Sequence, residues 1–138
     1  MSESIQTSSS DPMASEPPTV PLLTPADLAI EPGQALDGPS KTVVSDLINK
    51  HGFVLFRGYD IKSDSDFHRF IESFGLDNFK YADSFSNAVR HNRTERVFTA
   101  NEAPPSVEIF LHHEMAQTLT FPGALFFFCE EAAQSGGA

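Results

Sequence analysis

Residues 110–117 read Phe110-Leu111-His112-His113-Glu114-Met115-Ala116-Gln117, or FLHHEMAQ. Two histidines and a carboxylate sit side by side among apolar residues. The composition of 107–114 predicts a strand, and in a strand successive side chains face opposite ways. His112 and Glu114 then share one face, and His113 takes the other. An imidazole nitrogen and a carboxylate oxygen on one face can grip a cation. His-x-Glu is also two-thirds of the 2-His-1-carboxylate triad that holds non-haem Fe(II). The bland alternative is a surface pair of histidine and carboxylate. Zinc fits less well, because the nearest third candidate, His113, faces away.

Working outward, Ser40 is placed to cap a helix whose apolar stripe is Val43, Val44, Leu47 and Ile48, with Gly52 as its stop. Residues 53–56 (FVLF) then read as a buried strand, ended by Arg57-Gly58. Ser63 or Ser65 caps a second helix with Phe67, Phe70, Ile71 and Phe74 at i, i+3, i+4, i+7, closed by Gly75. These four are core residues. Residues 76–94 are polar and irregular. Short strands are predicted at 96–99 and 124–129, with loops at Pro104-Pro105 and Phe121-Pro122-Gly123. At least two of Phe126, Phe127 and Phe128 should be buried. Two helices followed by strands make an α+β, mainly β, fold.

Composition changes at residue 41. Residues 1–40 hold seven of the ten prolines, none of the 13 phenylalanines and no basic residue. Such a segment has little apolar surface to offset ordering entropy. Residues 1–16 are expected to form a disordered tail, and 17–39 an extended coil over the surface, with TVPLL (19–23) apolar enough to dock. The net charge of −10 argues against nucleic acid or an anionic membrane as partner. The single cysteine, Cys129, makes an internal disulfide or thiolate zinc site impossible. In an apolar run its thiol is expected to stay inert. No apolar run is long enough to span a membrane, and no leader pattern opens the chain, so a cytoplasmic location is expected.

Larger patterns surround FLHHEMAQ. The run RVFTANEAPPSVEIFLHHEMAQTLTFPGALFFFCEEAAQSGG (96–137) resembles the clavaminate synthase-like, taurine dioxygenase-related family of Fe(II)/2-oxoglutarate oxygenases. Upstream, GFVLFRGYDIKSDSDFHRFIESFG (52–75) is similar to that family's early strand and helix. The resemblance extends over about 17–138, and its motifs are specific because they occur together and in order.

The resemblance implies a distorted double-stranded β-helix, or jelly roll. It implies His112 and Glu114 as the first two iron ligands, with His113 not a ligand. It implies 2-oxoglutarate and O₂ as co-substrates, a small-molecule substrate, release of succinate and CO₂, and hydroxylation as the usual outcome. A carboxylate at 114, where related halogenases have a small residue, favours oxygenation. Asn101 and Glu102 match a loop leading toward the active site. Those two and Gln117 are substrate-pocket candidates, with loop hydrogen bonds or a surface position as the alternatives. Arg93 and Arg96 are candidates to orient an acidic substrate, or else surface cations.

The family's third ligand, a histidine, and the threonine and arginine that hold 2-oxoglutarate are expected beyond Ala138. Residues 17–138 are therefore expected to form a truncated, N-terminal part of an oxygenase domain. A jelly roll needs about eight strands. The edge at 124–129 would lack a partner and favour aggregation. The alternative is a non-catalytic truncated relict or interaction protein of the same fold.

Overall fold

The structure is a computed structural model, described over residues 19–80, 90–100, 102–104, 106–116 and 118–135. The tail expected over 1–16 lies outside the described residues, as do the pocket candidates Asn101 and Gln117.

Helix α1 spans Gly38–His51. Its cap is Asp37, one turn earlier than the serine the sequence pointed to: Asp37 Oδ1 accepts from Ser40 N at 2.8 Å. Ser40 itself is buried in the first turn. The short carboxylate satisfies an amide that the helix cannot, and it carries the charge that the positive end of the helix favours. At the far end Gly52 takes φ 80 and its N–H reaches Ile48 O. That left-handed position suits glycine. Only Val44, 1% exposed, is fully buried from the predicted stripe. Leu47 is half-buried, while Val43 and Ile48 face solvent.

What covers α1 corrects the expectation for 17–39. Leu23, Leu28, Ile30 and Leu36 form the first core cluster with Val44, so the proline-rich segment supplies four of its five members. Apolar residues spaced between prolines suffice here, because proline has already restricted the unfolded chain. A 3-10 turn at Pro25–Leu28 folds the segment, with Asp27 Oδ2 accepting from both Thr24 N and Thr24 Oγ1 at 2.7 Å.

Strand β1, Leu22–Leu23, pairs parallel with β2, Leu55–Phe56, in the register Leu22 with Leu55 and Leu23 with Phe56. The 3-10 turn and α1 make the crossover that a parallel pair requires. The predicted docking of 19–23 thus takes the form of a strand. The predicted buried strand at 53–56 is shorter and less covered than expected, with Phe53 and Leu55 exposed. Its length is set by β1, which the turn at Thr24-Pro25 cuts short.

Helix α2 spans Asp64–Ser73, and Ser63 is its cap, accepting from Asp66 N at 3.2 Å. Phe67 and Ile71 are buried. Phe70 and Phe74 turn edge-on to Phe56, with centroids 5.1 and 6.2 Å away. This aromatic group joins α2 to the first cluster, while Phe67, Ile71 and Val97 form the second.

Downstream the strand predictions do not hold among the described residues. The segment 96–99 contributes one antiparallel bridge, Asn92 with Phe98. Residues 107–114 and 124–129 form no ladder. Regular structure among the described residues amounts to α1, α2, the 3-10 turn and one two-stranded sheet, so the mainly β balance is not found there. A strand exists only through its neighbour's hydrogen bonds, and these segments have none within the described part. The side-chain alternation of 126–128 is present all the same. Phe126 packs on Phe74 at 4.9 Å and Phe128 on Phe67 at 5.4 Å, yet both are half-buried rather than buried as expected, and Phe127 is 79% exposed. Cys129 is exposed rather than sheltered in an apolar strand.

Candidate functional site

Residues 90–100 fold into a tight turn in which the Thr94 side chain makes several of the bonds. Thr94 Oγ1 accepts from Arg96 N at 3.2 Å and Val97 N at 3.0 Å, and meets His68 Nδ1 of α2 at 2.7 Å. Val97 drops into the second core cluster. The turn thereby brings Arg90, Arg93 and Arg96 to one cleft of about 1040 Å³, whose wall includes Phe67, Ile71, His112 and Glu114.

His112 and Glu114 meet, though not across a strand. The chain turns just after them: Ala116 N donates to His113 O at 3.2 Å, and Met115, buried at 3% exposure, takes φ 60. A non-glycine residue in that region is uncommon, and burial of the Met115 side chain stabilises the turn. His112 Nε2 lies 4.0 Å from Glu114 Oε2. His113 points elsewhere, edge-on to the Phe121 ring at 6.2 Å.

Each partner's other polar atom is engaged. His112 Nδ1 lies 2.8 Å from the Phe110 carbonyl oxygen. A carbonyl only accepts, so Nδ1 carries the proton, and in the neutral ring Nε2 keeps its lone pair. Glu114 Oε1 accepts from Arg90 Nη2 at 3.0 Å, with both side chains mostly buried. Arg90 also donates to Ala100 O and stands over the Phe98 ring at 5.8 Å. Nε2 and Oε2, both electron-rich, face each other at that 4.0 Å separation. A cation or a proton between them relieves that arrangement.

The donor types suit a divalent iron. To share one ion as cis ligands the two atoms would have to draw closer than 4.0 Å, and rotation of the exposed His112 imidazole would bring them together. A backbone carbonyl on the far ring nitrogen is also the usual second partner of a metal-bound histidine. Among the described residues no group of three His, Cys, Asp or Glu side chains gathers to hold a metal.

The other candidates fall into place unevenly. Glu102 is exposed and is not among the residues lining the cleft. Arg93 is a clasp: Nε donates to Asp64 Oδ2 at 2.8 Å and Nη1 to Glu130 Oε2 at 3.0 Å. Those bonds, to Glu130 first and Asp64 second, push its pKa up. Arg90 was missed by sequence reading. It lies 24 residues before Glu114 in a stretch with no periodicity, so no local pattern ties the two.

With fold and site in view, comparison with known proteins gives the family. Residues 16–138 match the model of the taurine catabolism dioxygenase TauD, TfdA family. The chain belongs to that family, one of non-haem iron, 2-oxoglutarate-dependent oxygenases with a jelly-roll fold. It is 44% identical over 97 residues to a clavaminate synthase-like protein of Arabidopsis thaliana, covering 70% of this chain and 29% of that protein. It is 27% identical over 94 residues to the dapdiamide synthesis protein DdaC of Enterobacter agglomerans, covering 68% of this chain and 28% of the relative. The matched part thus spans less than a third of either relative. No solved structure gives a significant match. No helix among the described residues is long and apolar enough to cross a membrane.

Proposed function

We propose that the chain contributes to the iron site of an Fe(II)/2-oxoglutarate-dependent oxygenase of the hydroxylase type, with His112 and Glu114 as two of three protein ligands. The third, a histidine, and the threonine and arginine holding 2-oxoglutarate belong in this reading to a part of the protein outside these residues. Residues 17–138 are then one portion of the jelly-roll domain. The observation that carries the reading is the pair of lone-pair atoms, His112 Nε2 and Glu114 Oε2, set 4.0 Å apart at the cleft.

Bound Fe(II), with 2-oxoglutarate and O₂, supplies the oxidising power to hydroxylate a carbon of a small molecule, with succinate and CO₂ released. The chain's residues prepare the place. The Phe110 carbonyl fixes the His112 tautomer so that Nε2 is a donor of electrons rather than of a proton. Arg90 engages Glu114 Oε1, while Oε2 lies toward His112. Phe67 and Ile71 give the cleft an apolar wall suited to the carbon skeleton of a small molecule.

Succinate formation from 2-oxoglutarate with Fe(II) and ascorbate tests the proposal in the natural full-length product. Turnover in wild type and its loss in His112→Ala and Glu114→Ala are expected. Retained turnover in His112→Ala overturns the ligand assignment. No turnover in the wild type favours a non-catalytic protein of the same fold.

A further inference from the structure

One oxygen, Thr94 Oγ1, joins the turn at 90–100 to α2. It accepts from Arg96 N at 3.2 Å and Val97 N at 3.0 Å, and lies 2.7 Å from His68 Nδ1. A hydroxyl has two lone pairs and one proton. The two amides take both lone pairs, so the proton points at His68 and Nδ1 accepts it. The neutral ring then carries its own proton on Nε2, which lies 3.2 Å from Glu72 Oε1, one turn further along α2. Each atom in the series Glu72, His68, Thr94 thus has one role, and the order holds only while the imidazole is neutral.

An imidazolium donates from both nitrogens. Its Nδ1–H would meet the hydroxyl proton, and Thr94 could receive it only by releasing Arg96 N or Val97 N. We propose that His68 is a proton-sensitive positioning residue of the site. Neutral, it locks the turn at 90–100 through Thr94; protonated, it releases the turn. The turn carries Val97 of the second core cluster and Arg90, whose bond to Glu114 extends the effect to the cleft. Histidine is the side chain whose charge ordinarily changes between about pH 5 and 8.

The other charged groups around the ring are engaged or exposed. On α2, Asp64, one turn before His68, takes Arg93, which also reaches Glu130. On the turn, Arg96 donates to the Leu76 carbonyl, while His91 and Glu95 are exposed. Among the described residues, Glu72 is the charged side chain within ion-pair distance of His68. Glu72 can accept from Nε2–H in either charge state, so the discrimination lies at Thr94. The lock needs no metal, and neither proposed ligand takes part in it.

The test is hydrogen exchange, read by mass spectrometry on the metal-free, full-length natural product and corrected for the intrinsic effect of pH on exchange. From about pH 8 to about pH 5.5, protection of residues 90–100 should fall about five- to tenfold, as for one lost hydrogen bond. Protection of α1 should hold over the same range, and it reports whether each variant is folded. His68→Asn cannot titrate, and Thr94→Val has no hydroxyl, so in both the acid dependence should vanish, whatever the level of protection. Thr94→Ser keeps the hydroxyl and should keep the dependence. The proposal is overturned if wild-type protection of 90–100 does not change, if α1 loses protection equally, if the dependence persists in His68→Asn or Thr94→Val, or if Thr94→Ser loses it.

Discussion

Arg90 Nη2 donates to Glu114 Oε1 at 3.0 Å, tying residues 24 positions apart in the wall of one cleft. The bond engages one carboxylate oxygen, while the other, Oε2, lies 4.0 Å from His112 Nε2. It also couples the turn at 90–100, anchored on α2, to the turn at 113–116, where Met115 is buried. His112 and Glu114, the proposed ligands, are thereby positioned by two loops and one ion pair, not by a strand.

Removing that ion pair should therefore weaken metal binding without touching either proposed ligand. Arg90→Met keeps the side chain's length and deletes its charge. Affinity for Co(II), an air-stable stand-in for Fe(II), should fall by about 10- to 100-fold, as for other partners of metal ligands. Titration followed by the cobalt absorption bands measures it. Unchanged affinity would mean that Arg90 does not orient Glu114.

Much of this architecture was legible in the sequence, and the parts that were not share a cause. The second helix, its Phe67 and Ile71 face and the glycine stops follow from local periodicity and glycine's tolerance of positive φ, which need only neighbouring residues. The strands at 107–114 and 124–129 did not follow, because a strand depends on a partner that no local pattern reports. The burial of Leu23, Leu28, Ile30 and Leu36 was hidden by the surrounding prolines, whose frequency imitates that of an unfolded segment. At the site, His112 and Glu114 stood out by spacing. Arg90 did not, since its contact with Glu114 is tertiary.

Val44 is the most enclosed side chain of the first cluster, at 1% exposure. Val44→Ala should cost about 2 kcal/mol through lost burial and a small cavity. Its neighbour Val43, on the exposed side of α1, should tolerate alanine within about 0.5 kcal/mol. Urea midpoints of the two variants give the comparison, and similar shifts for both would contradict the assigned packing face.

Acid should loosen the structure at its helix starts. Hydrogen bonds from Thr24, Ser40 and Ser63 hold the carboxyls of Asp27, Asp37 and Asp66 below their ordinary value of 3.8. A carboxyl depressed by folding stabilises the native state fully above its unfolded value. That contribution is lost as pH falls through the lower, folded value. The thermal midpoint should thus decline as the pH drops below about 4. Asp66→Asn, which keeps an acceptor but cannot titrate, should flatten the decline. A variant with the same acid dependence as wild type would remove Asp66 from the account.

The apolar segment at 124–129 offers a sharper test, because adjacent phenylalanines should behave oppositely. Phe128 packs against Phe67 of α2, whereas Phe127 is 79% exposed and has Leu125, also exposed, two residues before it. Exposed apolar residues in such a run promote chain-to-chain pairing. Phe127→Asp should raise the soluble fraction on expression and leave the urea midpoint nearly unchanged. Phe128→Asp places a charge against α2 and should lower both, with a stability loss of about 2 kcal/mol from the forfeited aromatic contact and the partly buried carboxylate. Equal effects at the two positions would mean that the alternation along 126–128 is not maintained in solution.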